Sequence, residues 1–319
     1  MRAVQITSLD GPTAVEVTEV PDPTPADGQV LIRVRAAGVA FPEVLQTRGL
    51  YQLKPELPFV PGAEVAGDVV SAPEGSGFSP GDRVTALPFL GGFAELALAD
   101  VDSVFPLPDS VSYEAGSALP FNYLTAYFAL IERGGLAEGE SVLVHGAAGG
   151  VGTAAIQVAK AFGASRVVAV TSTDDKGAVA LEAGADEYVL ADGFLDAVKA
   201  SGKVDVVVDP VGGDRFTDSL RSLADDGRLL VIGFTAGQIP EVKVNRLLLN
   251  NISVVGVGWG AYALSRPGHV KREWEAIAAH VASGALQPPI GGTFSLDQVS
   301  EALLTIDERR ATGKILLTP

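Results

Sequence analysis

Glu140-Ser-Val-Leu-Val-His-Gly-Ala-Ala-Gly-Gly-Val-Gly152 is the stretch whose reading decides the fold. A short apolar strand, Val142 to Val144, runs into a glycine-rich turn. An amphipathic helix, Thr153-Ala-Ala-Ile-Gln-Val-Ala-Lys-Ala-Phe162, follows and stops at Gly163. Strand, turn and helix in that order put unpaired backbone N–H groups and the positive helix end at one point, which suits a diphosphate. The turn reads Ala147-x-Gly149-x-x-Gly152. Small residues are needed there because the chain turns tightly and the diphosphate approaches the backbone. Ala148, Gly149, Gly150, Val151 and Gly152 are the candidate cradle.

Outward from this turn the pattern repeats. Val167-Val-Ala-Val-Thr171 reads as a second strand just after Gly163, so the helix is a crossover between parallel strands. A helix over Asp174 to Ala183, a strand over Glu187 to Leu190, the strand Val204-Asp-Val-Val-Val-Asp209, a helix over Asp214 to Ala224 and the strand Arg228-Leu-Leu-Val-Ile232 follow, with Ile252 to Val257 as a last strand. Near-continuous apolar strands separated by helices predict a parallel sheet buried on both faces: a doubly wound α/β Rossmann unit. Val211, after the third of these β units, and Gly233, Phe234 and Thr235, after the next, fall at the carboxyl edge where ligands bind in such sheets.

The second strand ends in Thr171-Ser172-Thr173, with Lys176 a turn later. An acidic side chain at this place pairs with the free ribose hydroxyls of NAD; hydroxyls plus an ammonium suit a 2′-phosphate better. NADPH is therefore expected over NADH. Asp174 and Asp175 oppose a phosphate if they face it, and the same residues also make an ordinary polar helix start.

Composition narrows the classes. The 319 residues carry 47% hydrophobic side chains and a net charge of −16, which disfavours nucleic acid or an anionic membrane as partner. The absence of cysteine excludes disulfides, thiolate catalysis and thiolate metal sites. His145, His269 and His280 lack ligand spacing to one another, and His145 at a strand end reads as a packed side chain with one hydrogen bond. Met1-Arg-Ala-Val-Gln-Ile reads as a first strand and not a signal peptide, and no apolar run reaches membrane-spanning length. A cytoplasmic protein is expected.

The first third is rich in strands and turns. Strands are expected over Val30–Arg35, Glu64–Val70, Arg83–Ala86 and Phe93–Leu98, with turn signals between them, and a helix over Ala118–Ile131. After Arg266-Pro-Gly268 come a long helix (Val270 to Ala282), a shorter one over Leu296 to Asp307 and a terminal strand at Lys314-Ile-Leu-Leu, which return to the N-terminal β-rich part. The expected division is 1–118 with 266–319, and 119–265.

The whole chain resembles the medium-chain dehydrogenase/reductase superfamily and, within it, the zinc-free quinone oxidoreductase (zeta-crystallin-like) branch. The resemblance rests on Ala36-Ala-Gly-Val-Ala-Phe-Pro-Glu-Val-Leu45, Arg48-Gly-Leu-Tyr51, Pro61-Gly-Ala-Glu-Val-Ala-Gly67, Gly81-Asp-Arg-Val84, Ala118-Leu-Pro-Phe-Asn-Tyr-Leu-Thr-Ala-Tyr127, the glycine turn, Gly233-Phe-Thr-Ala-Gly237 and Gly313-Lys-Ile-Leu-Leu317. It implies a GroES-like catalytic domain beside the Rossmann unit. Zinc-dependent relatives carry Gly-His-Glu where this chain has Gly62-Ala63-Glu64, together with a ligand cysteine and a four-cysteine lobe that are absent here. Branch members often have Asn and Asp where Ala40 and Glu43 stand, and some NADPH users add a tyrosine at the place of Ala191.

The resemblance implies a zinc-independent, NADPH-dependent hydride transfer to a quinone or an α,β-unsaturated carbonyl. The alternatives are a 2-enoyl thioester reductase, and a low-turnover NADPH-binding sensor or structural protein. Tyr51 is the catalytic candidate, since related enoyl-thioester reductases carry a tyrosine in this Gly-Leu-Tyr that donates a proton or orients the substrate; it equally fits a cleft lining. Thr125 is implied to face the nicotinamide ribose or amide, or else bonds its own helical turn. Phe41, Glu43, Tyr51 and Trp259 are the candidate substrate pocket. Phe41, Phe234 and Trp259 are candidates for an aromatic wall, with Phe89, Phe93 and Tyr262 behind them. In this superfamily the strand at Ile252–Val257 commonly pairs with its twin, so a homodimer is expected, with a tetramer as the alternative.

Overall fold

The structure is a computed structural model that describes residues 1–319. The chain forms two compact units. One comprises Met1–Phe121, Pro267–Ala278 and Pro288–Pro319; the other comprises Asn122–Arg266 and Ala279–Gln287.

The first unit begins with an antiparallel ribbon of β1 (Arg2–Ile6) and β2 (Val15–Glu19). Then come β3 (Gln29–Val39), α1 (Phe41–Gln46), β4 (Glu64–Ser71), β5 (Arg83–Ala86), β6 (Leu96–Asp100), β7 (Val104–Pro106) and α2 (Tyr113–Gly116). The strand expected over 93–98 is displaced to 96–100. Ala94 instead bridges to Ala3, and the Phe93 N–H donates to Pro61 O at 2.9 Å, so the segment before β6 is committed to other partners.

The chain continues through α3 (Pro120–Tyr127), β8 (Ser141–His145), α4 (Gly150–Ala161), β9 (Arg166–Thr171), α5 (Asp174–Glu182), β10 (Glu187–Leu190) and α6 (Phe194–Ser201). These are followed by β11 (Val204–Asp209), α7 (Phe216–Ser222), β12 (Leu223–Val231), α8 (Asn245–Asn250), β13 (Ser253–Gly256), α9 (Trp259–Leu264) and the long α10 (His269–Ala282). The single helix expected over 118–131 is broken. Proline fits the first turn of a helix, where its missing N–H costs nothing, and α3 starts at Pro120. Phe128–Arg133 then continues as a π-helical turn, with the Gly134 N–H reaching back five residues to Ala129 O at 2.7 Å.

The six strands of the second unit run parallel in the order β10-β9-β8-β11-β12-β13. Their apolar character follows from helices covering both faces. Leu143, Val168, Val207 and Leu229, on four neighbouring strands, are 1% exposed or less. Each such side chain stabilises the unit by about 2 kcal/mol through lost apolar surface. His145 closes β8 as a packed residue: Nε2 lies 2.8 Å from Ser219 Oγ, and the Ser219 hydroxyl donates onward to Arg215 O. The ring therefore donates through Nε2, and burial pushes its pKa down to about 4.

The last elements are β14 (Ile290–Ser295), α11 (Val299–Asp307) and β15 (Lys314–Thr318). β15 pairs antiparallel with β3, and the sheet of the first unit runs β14-β15-β3-β4-β5-β7, with β6 also on β3. Val65, Phe93, Leu303 and Leu317 meet in its core. No helix is long and apolar enough to cross a membrane.

Candidate active site

The glycine turn owes its shape to three close approaches. Gly146 takes φ 59°, in the left-handed region, and redirects the chain out of β8. A Cβ on Gly152 would lie 2.2 Å from Gly146 O and 2.7 Å from Ala147 Cα, so the first turn of α4 sits directly on the loop backbone. A Cβ on Gly150 would lie 2.3 Å from Asn122 Nδ2 of α3. At Gly149 the nearest atom is 3.4 Å away. Gly149 is the N-cap of α4, and the Thr153 hydroxyl donates to its carbonyl at 3.1 Å. The amides of Gly150, Val151 and Gly152 begin the helix and have no intrahelical acceptor. They form a fixed set of donors at a positive helix end.

At the end of β9, Thr171 is buried and its hydroxyl donates to Thr173 O at 3.2 Å. Thr173 caps α5 by accepting from the Lys176 N–H. Ser172 is exposed and Lys176 half-buried. Asp174, which sequence alone left as a charge opposing a phosphate, accepts from the Tyr188 hydroxyl of β10 at 3.1 Å. Tyr188 fits closely against α5, for a Cβ on Gly177 would come 2.5 Å from its ring.

The ends of β11 and β12 are tied together. Asp209, buried, accepts from the Val211 and Gly212 amides at 2.9 and 2.8 Å, shaping the loop as an Asx turn. The Thr235 and Ala236 amides donate to Pro210 O and Val211 O. Val211, Gly233, Phe234 and Thr235 therefore share one edge, where Phe234 is 36% exposed. Thr125 and Asn122 are buried on α3. Trp259, at the start of α9, is buried in the same unit.

The remaining candidates lie in the first unit. Phe41 packs against its core. The Leu50 N–H donates to Leu45 O, closing the turn that ends α1 just before Tyr51, which is half-buried. Burial, then the charge of Glu43, pushes the Tyr51 phenol up to about 12. Glu43 itself is 1% exposed and accepts from the Ala63 and Ala40 amides at 3.1 and 2.9 Å. Beside it Lys314 Nζ lies 2.6 Å from Glu64 Oε1, with both side chains buried.

The profile of the alcohol dehydrogenase GroES-like domain matches residues 26–109, and that of the zinc-binding dehydrogenases matches 150–282. Quinone oxidoreductase-like protein 2 of Bos taurus is 38% identical over 99% of this chain and 92% of its own length. The chain belongs to the medium-chain dehydrogenase/reductase superfamily, in its quinone oxidoreductase branch. It is an oxidoreductase by family. A probable oxidoreductase from Mycobacterium abscessus superposes with a TM-score of 0.90 at 43% identity, covering 100% of this chain and 99% of the other. The quinone oxidoreductase of Thermus thermophilus, solved also with NADPH, gives 0.87 at 34% identity and covers 100% of both.

The family name raises the question of zinc. At the place of the histidine ligand of zinc-dependent members this chain has Ala63, whose N–H is engaged by Glu43. The adjacent Glu64 is engaged by Lys314, and there is no thiolate anywhere in the chain. That donor set does not fit a catalytic zinc ion.

Sequence reasoning overlooked Asp209, Tyr188 and the Glu64–Lys314 pair. For Asp209 a signal was present, an acid closing a strand before Pro-Val-Gly-Gly. The turn geometry predicts unequal tolerance: Gly152→Ala loses about 1–3 kcal/mol to the overlap with backbone, while Gly149→Ala stays near the parent. Denaturant unfolding of the two variants checks this, and equal stability would contradict the packing described.

Proposed function

We propose that this chain is an NADPH-dependent oxidoreductase that passes a hydride to a quinone or an α,β-unsaturated carbonyl without a metal ion. The observation that carries the reading is the Gly146–Gly152 turn. Gly152 is held too close to neighbouring backbone, and Gly150 too close to Asn122, for a side chain, and the amides of Gly150, Val151 and Gly152 begin a helix. The amides of Ala148, Gly150, Val151 and Gly152 would hold the diphosphate, with the Gly149 N–H spent on Gly146 O at 3.0 Å and its α-carbon leaving room for the approach. Thr171, Ser172 and Lys176 would hold the 2′-phosphate, and the Asp174–Tyr188 contact draws one acid of that segment toward β10. Val211, Gly233, Phe234, Thr235 and Thr125 would hold the nicotinamide end. The NADPH complex of the Thermus thermophilus relative supports the choice of coenzyme.

The reduced nicotinamide supplies the hydride when bound. What is left to this chain is positioning and stabilisation of a developing oxyanion. Tyr51 suits the second task. With its phenol held near 12, it stays protonated through the neutral range and donates a hydrogen bond to the oxygen that gains charge. A homodimer fits the exposed features of the second unit. β13 is the edge of its sheet, and Val244, Leu248 and Leu249, in the helical segment that precedes it, are more than 70% exposed.

Three measurements test these points. Fluorescence titration should show tighter binding of NADPH than of NADH, and Lys176→Ala should weaken NADPH alone by about 1–2 kcal/mol, the range of a charge-assisted contact; equal affinity for the two coenzymes would refute the assignment. Tyr51→Phe should lower kcat with enones more than with readily reduced quinones, whereas no change with either would leave it a lining residue. Sedimentation should give twice the 32.8 kDa chain mass, and Leu248→Glu should shift it to the single chain; an unaltered profile in the variant would place the interface elsewhere.

A further inference from the structure

Asn122, the third residue of α3, is 4% exposed, yet its carboxamide hydrogen-bonds no other group of the protein. Burying an amide without a partner is costly, so the place it occupies calls for a reason. Its Nδ2 stands where a side chain of Gly150 would begin: a Cβ built there runs into Nδ2 first, with Cγ at 3.3 Å and Oδ1 at 3.6 Å. Cβ directions on a helix lean toward its N-terminus. Gly150 is the first residue of α4, so the NH₂ end of Asn122 lies on the N-terminal side of that first turn, beside the amides of Gly150, Val151 and Gly152. The backbone that carries it is held in place. Tyr123, the next residue, is 1% exposed and donates to Gln157 Oε1 of α4 at 2.7 Å, which ties α3 to α4. A side-chain donor thus meets the positive end of a helix with no protein acceptor between them. An anion is the group that satisfies both.

We propose that Asn122 is a coenzyme-binding residue whose Nδ2 donates to the diphosphate, and that position 150 is glycine in order to admit this carboxamide. The inference rests on the coenzyme reading above. The carboxamide adds a donor to the backbone set, and a hydrogen bond to a charged oxygen is stronger than one between neutral groups. Aspartate, of nearly the same shape, would set a carboxylate against the diphosphate instead. The two glycines of the first turn then have different tasks. A methyl on Gly152 would strike backbone, whereas a methyl on Gly150 would strike the outer end of one side chain. Substitution at 150 therefore turns Asn122 aside, and the loss falls on coenzyme affinity more than on the fold.

The test measures Kd by calorimetry for NADPH, for 2′-phospho-ADP-ribose, which keeps the diphosphate and lacks the nicotinamide, and for 2′-AMP, which lacks the diphosphate. Asn122→Ala should weaken the first two alike, by about tenfold for one hydrogen bond to a charged group, and leave 2′-AMP unchanged. Asn122→Asp should weaken the first two further. Gly150→Ala should weaken them in the parent and add nothing in the Asn122→Ala background, the sign of two residues acting through one contact. Should Asn122→Ala fail to fold, Gly150→Ala decides, because it displaces the same carboxamide. Unchanged affinity for 2′-phospho-ADP-ribose in the variants overturns the proposal. So does an equal loss for 2′-AMP, or a Gly150→Ala loss that simply adds to that of Asn122→Ala. A parent that binds none of the three probes would instead bring down the coenzyme reading itself, and this inference with it.

Discussion

The contact between Gly152 and the backbone at Gly146–Ala147 governs the nucleotide-binding unit. Because no side chain fits between them, α4 begins directly on the loop that leaves β8, and its first amides lie there without intrahelical acceptors. On the proposed reading, donors held this way would meet an anion without the cost of ordering a loop. The same rigidity extends sideways. Asp209 fixes the β11 loop by two backbone bonds, Thr173 caps α5, and the β11 and β12 loops are bonded to each other. The ends of four neighbouring strands, β9, β8, β11 and β12, are therefore preset.

The first unit uses a different device. Where zinc-dependent members of the superfamily place a histidine, this chain has Ala63, and the carboxylates around it are satisfied by protein groups alone. Ala40 and Ala63 amides serve Glu43, while Lys314 and the Phe121 amide serve Glu64. An internal ammonium on the last strand balances one of the two charges.

Much of this was legible in the sequence where the signal is local. β5, β10 and β11 have the bounds that apolar runs and turn residues predict, and the parallel order of six strands follows from alternation with helices. β13 lies at the sheet edge, as its place last in the run implies. The failures have tertiary causes. The strand before Leu96 lost residues to β1 and to Pro61, and the helix expected through Ile131 gave way to a π-helical turn, neither of which has a periodic signature. Within the site, motif residues could be named from the sequence, yet their partners could not. Lys314 and Glu64 stand 250 positions apart and meet only because β15 and β4 flank β3. Exposure was equally hidden: Glu43 and Trp259, both read as pocket lining, are 1% and 3% exposed.

The central claim is that the turn after β8 clasps the diphosphate of a reduced pyridine dinucleotide. A crystal structure of the protein grown with NADPH tests it most directly. The account predicts the diphosphate on the amides of Gly150, Val151 and Gly152, with the 2′-phosphate beside Lys176. Coenzyme density elsewhere, with that turn bare or its amides bonded within the protein, would contradict it.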